Sequence, residues 1–209
     1  MSRDSVTVRS LAATGGIVAA LAIGLLGCDN PKPTASAAIT DPPAAVAPSD
    51  CANRIAAVKL DVVATIDAVD ACRFTSEGAA AAQAAIASGA SGSALWAAVW
   101  VYAASGSDPA PLKPLATTSD ASVRVMAGAA LISFGDATGF DALRQSLTNG
   151  DDLEGSAPPI AIGDFAAGSL AQLITGTSLP TTAADWATWL TSNASHLVFD
   201  AASGTWAVS

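Results

Sequence analysis

Side chains able to do covalent or coordination chemistry are few in this chain. Three cysteines, Cys28, Cys51 and Cys72, and a single histidine, His196, are its whole supply of thiols and imidazoles. A catalytic metal site wants clustered His, Cys or carboxylate ligands, and one histidine with no spare cysteine does not supply them. Ser-His-Asp catalysis would have to use His196, which lies beside two short strand-like segments and far from any nucleophile elbow. Asn149-Gly-Asp-Asp-Leu-Glu-Gly155 gathers three carboxylates of the type that hard cations prefer, but without EF-hand spacing, so a solvated acidic loop is the expectation. Gly135-Asp-Ala-Thr-Gly139 lacks the lysine of a phosphate-binding loop. The sequence therefore predicts no catalytic residue, no metal site and no cofactor.

Cys28 has a different chemistry in view. Arg3 and Arg9 precede an apolar, charge-free run from Leu11 to Leu26, and Gly27 supplies a small residue before the cysteine. Charge, short apolar run and small residue are the parts of an export signal, too short and wrongly flanked for a spanning anchor. The Leu25-Leu-Gly-Cys28 ending resembles the lipobox of bacterial lipoproteins. That resemblance implies a signal peptide over 1–27, lipidation of Cys28, and an extracytoplasmic domain held at the cell envelope by acyl chains. Residues 28–50, with five prolines and no sustained periodicity, read as a disordered tether.

With Cys28 assigned to lipid, Cys51 and Cys72 remain as an even pair in an oxidising compartment, where a disulfide can form. A single straight helix over 52–71 would hold them about 30 Å apart, and a bridge needs Cα atoms within about 7 Å. Either the segment folds back or the thiols are unpartnered. Ile55, Val58, Val62, Ile66 and Val69 have helical spacing, whereas Val58, Leu60, Val62, Ala64, Ile66 and Ala68 also alternate as in a strand. Helix is the preferred reading.

The scaffold must come from alanine. The chain is 51% hydrophobic but only 5% aromatic and 13% charged, which suits thin, closely packed helices. A net charge of −9 repels phosphate backbones and excludes nucleic acid as a partner. Helices are expected over Ser76–Ala87 and Ser93–Ala104. Trp96 and Trp100 lie at i, i+4 on the second, either as a docking stripe or as packing between helices, and packing is the preferred reading. Asp120 is an N-cap and Gly135 a terminator for the next helix, which is followed by a second over Ala137–Leu147. Two such helices form a hairpin that cannot bury its apolar face alone.

Degenerate copies of this hairpin flank it. Ala98–Gly106 shadows Ala127–Gly135, with Leu112 and Leu115 matching Phe140 and Leu143. Phe165-Ala-Ala-Gly-Ser-Leu170 echoes Met126-Ala-Gly-Ala-Ala-Leu131. Val123, Arg124, Ala129, Ala130, Leu131, Gly135 and Asp136 occupy the positions that make residues 119–148 resemble a HEAT repeat of the bilin-lyase-like type. The match is weaker over 93–116 and 160–191 and absent before Ser76. By that resemblance the fold is all-α, a short α-solenoid of HEAT-like hairpins over 51–195, and Arg124 is a ladder residue bonding to neighbouring carboxylates or carbonyls. Some HEAT-repeat proteins are metal hydroxylases built on His–Glu pairs, which His196, Glu77 and Glu154 cannot form.

A last helix is expected over Thr181–Ser192, carrying Trp186 and Trp189. Residues 196–209 then read as two short strands around Asp200–Gly204, a β-hairpin cap with Phe199 and Trp206 against the last helix. These features predict a non-catalytic lipoprotein that holds a protein partner at the envelope, with its membrane contact through Cys28. The alternatives are a bilin-lyase-like or small-ligand-binding protein, and a purely structural envelope lipoprotein. The sequence does not single out the partner-binding residues.

Overall fold

Alanine-rich helical segments form most of the structure, and Thr75, Asp120 and Thr182 cap three of them with their side chains. The computed structural model describes residues 48–209, so Cys28, the expected signal peptide and nearly all of the expected tether lie outside the described residues. The helices are α1 (Pro48–Ala57), α2 (Val63–Asp70), α3 (Ser76–Ala87), α4 (Gly92–Ser105), α5 (Ala121–Ser133), α6 (Gly139–Ser146), α7 (Ile162–Leu173) and α8 (Ala183–Asn193), with a 3-10 segment over Ala110–Thr117. Among the described residues, no helix is long and apolar enough to cross a membrane.

The ambiguous stretch after Cys51 is two helices, not one, and no glycine or proline breaks it. The Thr65 hydroxyl makes the break: it accepts the Lys59 N–H at 2.9 Å and donates to the Lys59 carbonyl at 2.7 Å. A side chain that takes over backbone partners in this way competes with helix continuation. The chain therefore reverses through residues 58–62. Cys51 and Cys72 come to a Cα separation of 5.7 Å and are joined by a disulfide. Closing a loop of this length is worth about 3 kcal/mol against the unfolded chain.

At the centre lies α5. The Asp120 carboxylate caps it by accepting the Val123 N–H at 3.0 Å, and Gly135 ends it with φ of +81°. Ser122, Val123 and every residue from Val125 to Ile132 are buried. A helix apolar on all sides belongs inside a protein, and α5 packs on α4, α6, α7 and the 3-10 segment. The α5–α6 crossing brings backbone against backbone: a Cβ on Gly139 would collide with the Gly128 carbonyl, and one on Gly128 would lie 2.8 Å from the Ala142 Cβ. Helix α4 packs on α5 and α5 on α7; the 3-10 segment packs on α6 and α6 on α8. Pro114 inside the 3-10 segment explains why it does not form a regular α-helix.

Helix α6 starts at Gly139, later than the expected Ala137, because the Asp136 carboxylate accepts the Thr138 N–H and holds a turn there. Asp136 also pairs with Lys113 of the 3-10 segment at 2.7 Å, tying neighbouring hairpins together.

The C-terminal strands are β2 (Leu197–Asp200) and β3 (Thr205–Val208), paired antiparallel. A third strand, β1 (Ile174–Thr175), pairs parallel with β3, so the sheet order is β1-β3-β2 and the hairpin is continuous with the end of α7. Phe199 and Trp206 were expected against the last helix; the structure seats both rings on the α5–α6 hairpin. Trp206 Nε1 donates to the Ile132 carbonyl at 2.8 Å, its ring meets Phe140 edge-on at 4.9 Å, and Phe199 lies over Gly135. The expectation failed because a buried indole needs an acceptor for its N–H, and the end of α5 presents one.

Two predictions follow from this packing. Gly139→Ala should cost about 1–3 kcal/mol by overpacking a backbone contact, read as a lower denaturation midpoint with an unchanged slope in urea. Burial opposes ionisation of Asp136, but the Lys113 ammonium and the Thr138 hydrogen bonds outweigh it and hold the carboxyl below its ordinary value. Its contribution is present above the unfolded value and is lost as pH falls through the folded one. Asp136→Asn should therefore cost about 1–2 kcal/mol at pH 7, and the gap from wild type should close as unfolding is followed into acid.

Candidate functional site

Four helices and one loop leave an apolar cleft of about 200 Å³. On α4, Trp96 and Trp100 stand one turn apart and meet edge to face at 4.6 Å. Trp96 is buried and Trp100 half-buried, so the pair both packs between helices and lines the cleft. Met126, Ala129 and Ala130 of α5 make the floor, where two alanines leave room that larger side chains would fill. Phe165 of α7 closes one end, and Val63 and Ile66 of α2 form a wall.

Residues 153–157 of the 149–160 loop complete the lining. Leu153 N–H donates to the Ile160 carbonyl at 2.8 Å, Ile160 N–H to Ser156 Oγ at 3.1 Å, and Glu154 N–H to Ser122 Oγ at 3.1 Å. Gly155 passes over the indole of Trp96 with φ of +73°, and a Cβ there would sit 2.7 Å from its Cζ2. Only glycine serves both the conformation and the approach.

Arg73 supplies the cation of the lining. Its side chain is 6% exposed, its Nη1 donates to Asp70 at 2.7 Å, and its guanidinium lies 5.0 Å from the Phe74 ring centroid and 5.1 Å from that of Trp100. Ion pair and two rings together offset the desolvation of a buried charge. Phe74, 57% exposed, reaches this position with φ of +61°, a conformation that costs a bulky residue energy. Cys72 is the residue before Arg73, so the disulfide anchors this corner. Asp67, Asp70 and Glu154 are the carboxylates of the lining. Partial burial, with Asp120 adding like-charge repulsion, raises the Glu154 carboxyl above its ordinary value. Among the described residues, Trp96 Nε1 and Arg73 Nε are buried without a hydrogen-bond partner.

The remaining residues singled out by sequence lie apart. His196 is exposed at the end of a 3-10 turn, where its carbonyl accepts from Ser209. Glu77 is exposed and accepts a hydrogen bond from Ser76. Arg124 donates to the Thr118 carbonyl at 2.8 Å. Asp151 and Asp152 are exposed, and among the described residues no three His, Cys, Asp or Glu side chains gather as metal ligands. Sequence reasoning reached Trp96 and Trp100 but missed Arg73, Phe74 and the floor. An arginine directly after a cysteine and before an aromatic was the available signal.

No family model matches the chain, and no curated protein or solved structure matches it either.

A carboxyl raised on folding disfavours the folded state once ionised: the penalty is full above the raised value and absent below the ordinary 4.5. Glu154→Gln should therefore raise the melting temperature slightly at pH 7 and leave it unchanged at pH 3.5, a test made by calorimetry at the two pH values.

Proposed function

We propose that this chain is a lipid-anchored, extracytoplasmic binding protein that uses a short stack of helical hairpins to hold a protein partner at the cell envelope, without catalysis. Support for the stack comes from the succession α4, α5, α7 beside the 3-10 segment, α6, α8. That order follows the degenerate repeats of the sequence, and an α-solenoid is the arrangement it fits. Support for the anchor is the resemblance of Leu25–Cys28 to a lipobox. The observation that carries the binding role is the cleft together with its rim. Large exposed apolar residues among the described ones are Val62, Val63, Phe74, Val198 and Val208; Val63 lines the cleft, Val62 precedes Val63 in the chain, and Phe74 lies against the cleft-lining Arg73. Apolar side chains concentrated at a concave site mark an interaction surface.

The size of this cleft favours a protein side chain over a small ligand. Pockets for drug-sized molecules run to about 300–1,000 Å³, more than the 200 Å³ here, and an open-chain tetrapyrrole needs more still. A bilin-carrying role therefore has no support from the cleft.

The test is photo-crosslinking in the cell from a probe at Ala103, on the cleft lining, in wild type and in Cys28→Ala. One or two proteins labelled through the cleft only when Cys28 is present is the expected result. No discrete labelling, or labelling indifferent to Cys28, would overturn the reading.

A further inference from the structure

The binding reading leaves open what chemistry enters the cleft, and volume, rim and charge restrict it. A cavity of 150 Å³ holds a benzene-sized body, so the 200 Å³ cleft takes one large aliphatic or aromatic side chain. Interfaces commonly use one such anchor in a pocket, ringed by contacts that exclude water. Val62 and Val63 at one end of α2 and Phe74 just past the other add exposed apolar side chains beyond the cavity at both ends of the helix. An extended segment could lie there with its anchor inserted.

The charges then select the segment. Asp67 and Asp70 both lie on the lining from α2, with Glu154 on the loop. The cation beside them, Arg73, is already engaged by Asp70 and by two rings. The Asp67 carboxylate makes no hydrogen bond or ion pair among the described residues, and the residue is exposed. A partner seated here would desolvate Asp67 and Glu154 further, which is tolerated only if it brings a cation. Lysine and arginine suit the site doubly, because their stems lie along apolar surface while the head reaches a carboxylate. Resting on the binding reading above, we infer that the cleft receives a protein segment that inserts one aromatic or large aliphatic side chain and carries a lysine or arginine next to it, whose charge meets Asp67 and Glu154. An acidic segment is repelled by the same carboxylates.

A random 12-residue phage-displayed library panned against the full chain in mild detergent tests this. The expected result is enrichment of sequences pairing a large apolar residue with a neighbouring Lys or Arg. Ala103→Phe, which fills the cleft, should abolish that enrichment. Asp67→Lys, an exposed charge reversal that leaves the cavity open, should reduce the basic sequences about tenfold while retaining the apolar residue. Cleft-dependent enrichment of acidic or uncharged sequences, or indifference to Asp67→Lys, would overturn this inference and leave the binding reading in place. No enrichment that depends on the open cleft would overturn both. If Ala103→Phe fails to fold, Asp67→Lys still decides the charge.

Discussion

The centre of the described fold is arranged around the close backbone contact between α5 and α6. Gly128 and Gly139 meet with no room for a Cβ on Gly139, and that approach lets a helix of small residues be surrounded on all sides. Few aromatic residues are available to fill space, so density has to come from short interhelical distances. The C-terminal sheet depends on the same contact. Trp206 reaches across 74 residues of sequence to the Ile132 carbonyl at the end of α5, and Phe199 covers the turn at Gly135. Strands and helices thus share one core.

The cleft combines two kinds of support. Its floor and one wall, from α5 and α4, are parts of that core. The facing wall, α2, is attached differently: Val69 is its one buried residue, and its hold comes from the disulfide beyond its C-terminal end, the Arg54 bond to the Ala68 carbonyl, and Thr65 on the Lys59 backbone. Covalent and polar ties here do what apolar burial does elsewhere. The same corner carries the strained Phe74 and the buried Arg73. Strain and buried charge concentrated on one wall are where a binding surface is expected to depart from best packing.

Helix boundaries were legible at α3 and α5, where a side chain caps the helix locally. Asp120 and Gly135 bracket α5 as read from sequence, and the span of α3 matches its expected limits, with Thr75 accepting the Gly78 N–H. The reversal at 58–62 was not legible, since it depends on one threonine side chain and not on glycine or proline. Nor was β1, a two-residue strand defined only by its partner β3. Sequence placed Trp96 and Trp100 on one helix face. What makes them a site is the vacancy above Ala129 and Ala130 and the loop at Gly155. Those belong to α5 and to the 149–160 loop, and no local pattern joins them to α4.

The most direct measurement is amide hydrogen exchange by mass spectrometry on the full chain, before and after reduction of the Cys51–Cys72 disulfide. A rigid floor and a tethered wall require α5 to exchange slowest, near the global unfolding limit. Reduction should then speed α2 by about tenfold or more while α5 is unchanged. Exchange of α5 as fast as α2 in the oxidised protein, or equal acceleration of both on reduction, would contradict a cleft built from one fixed and one tethered side.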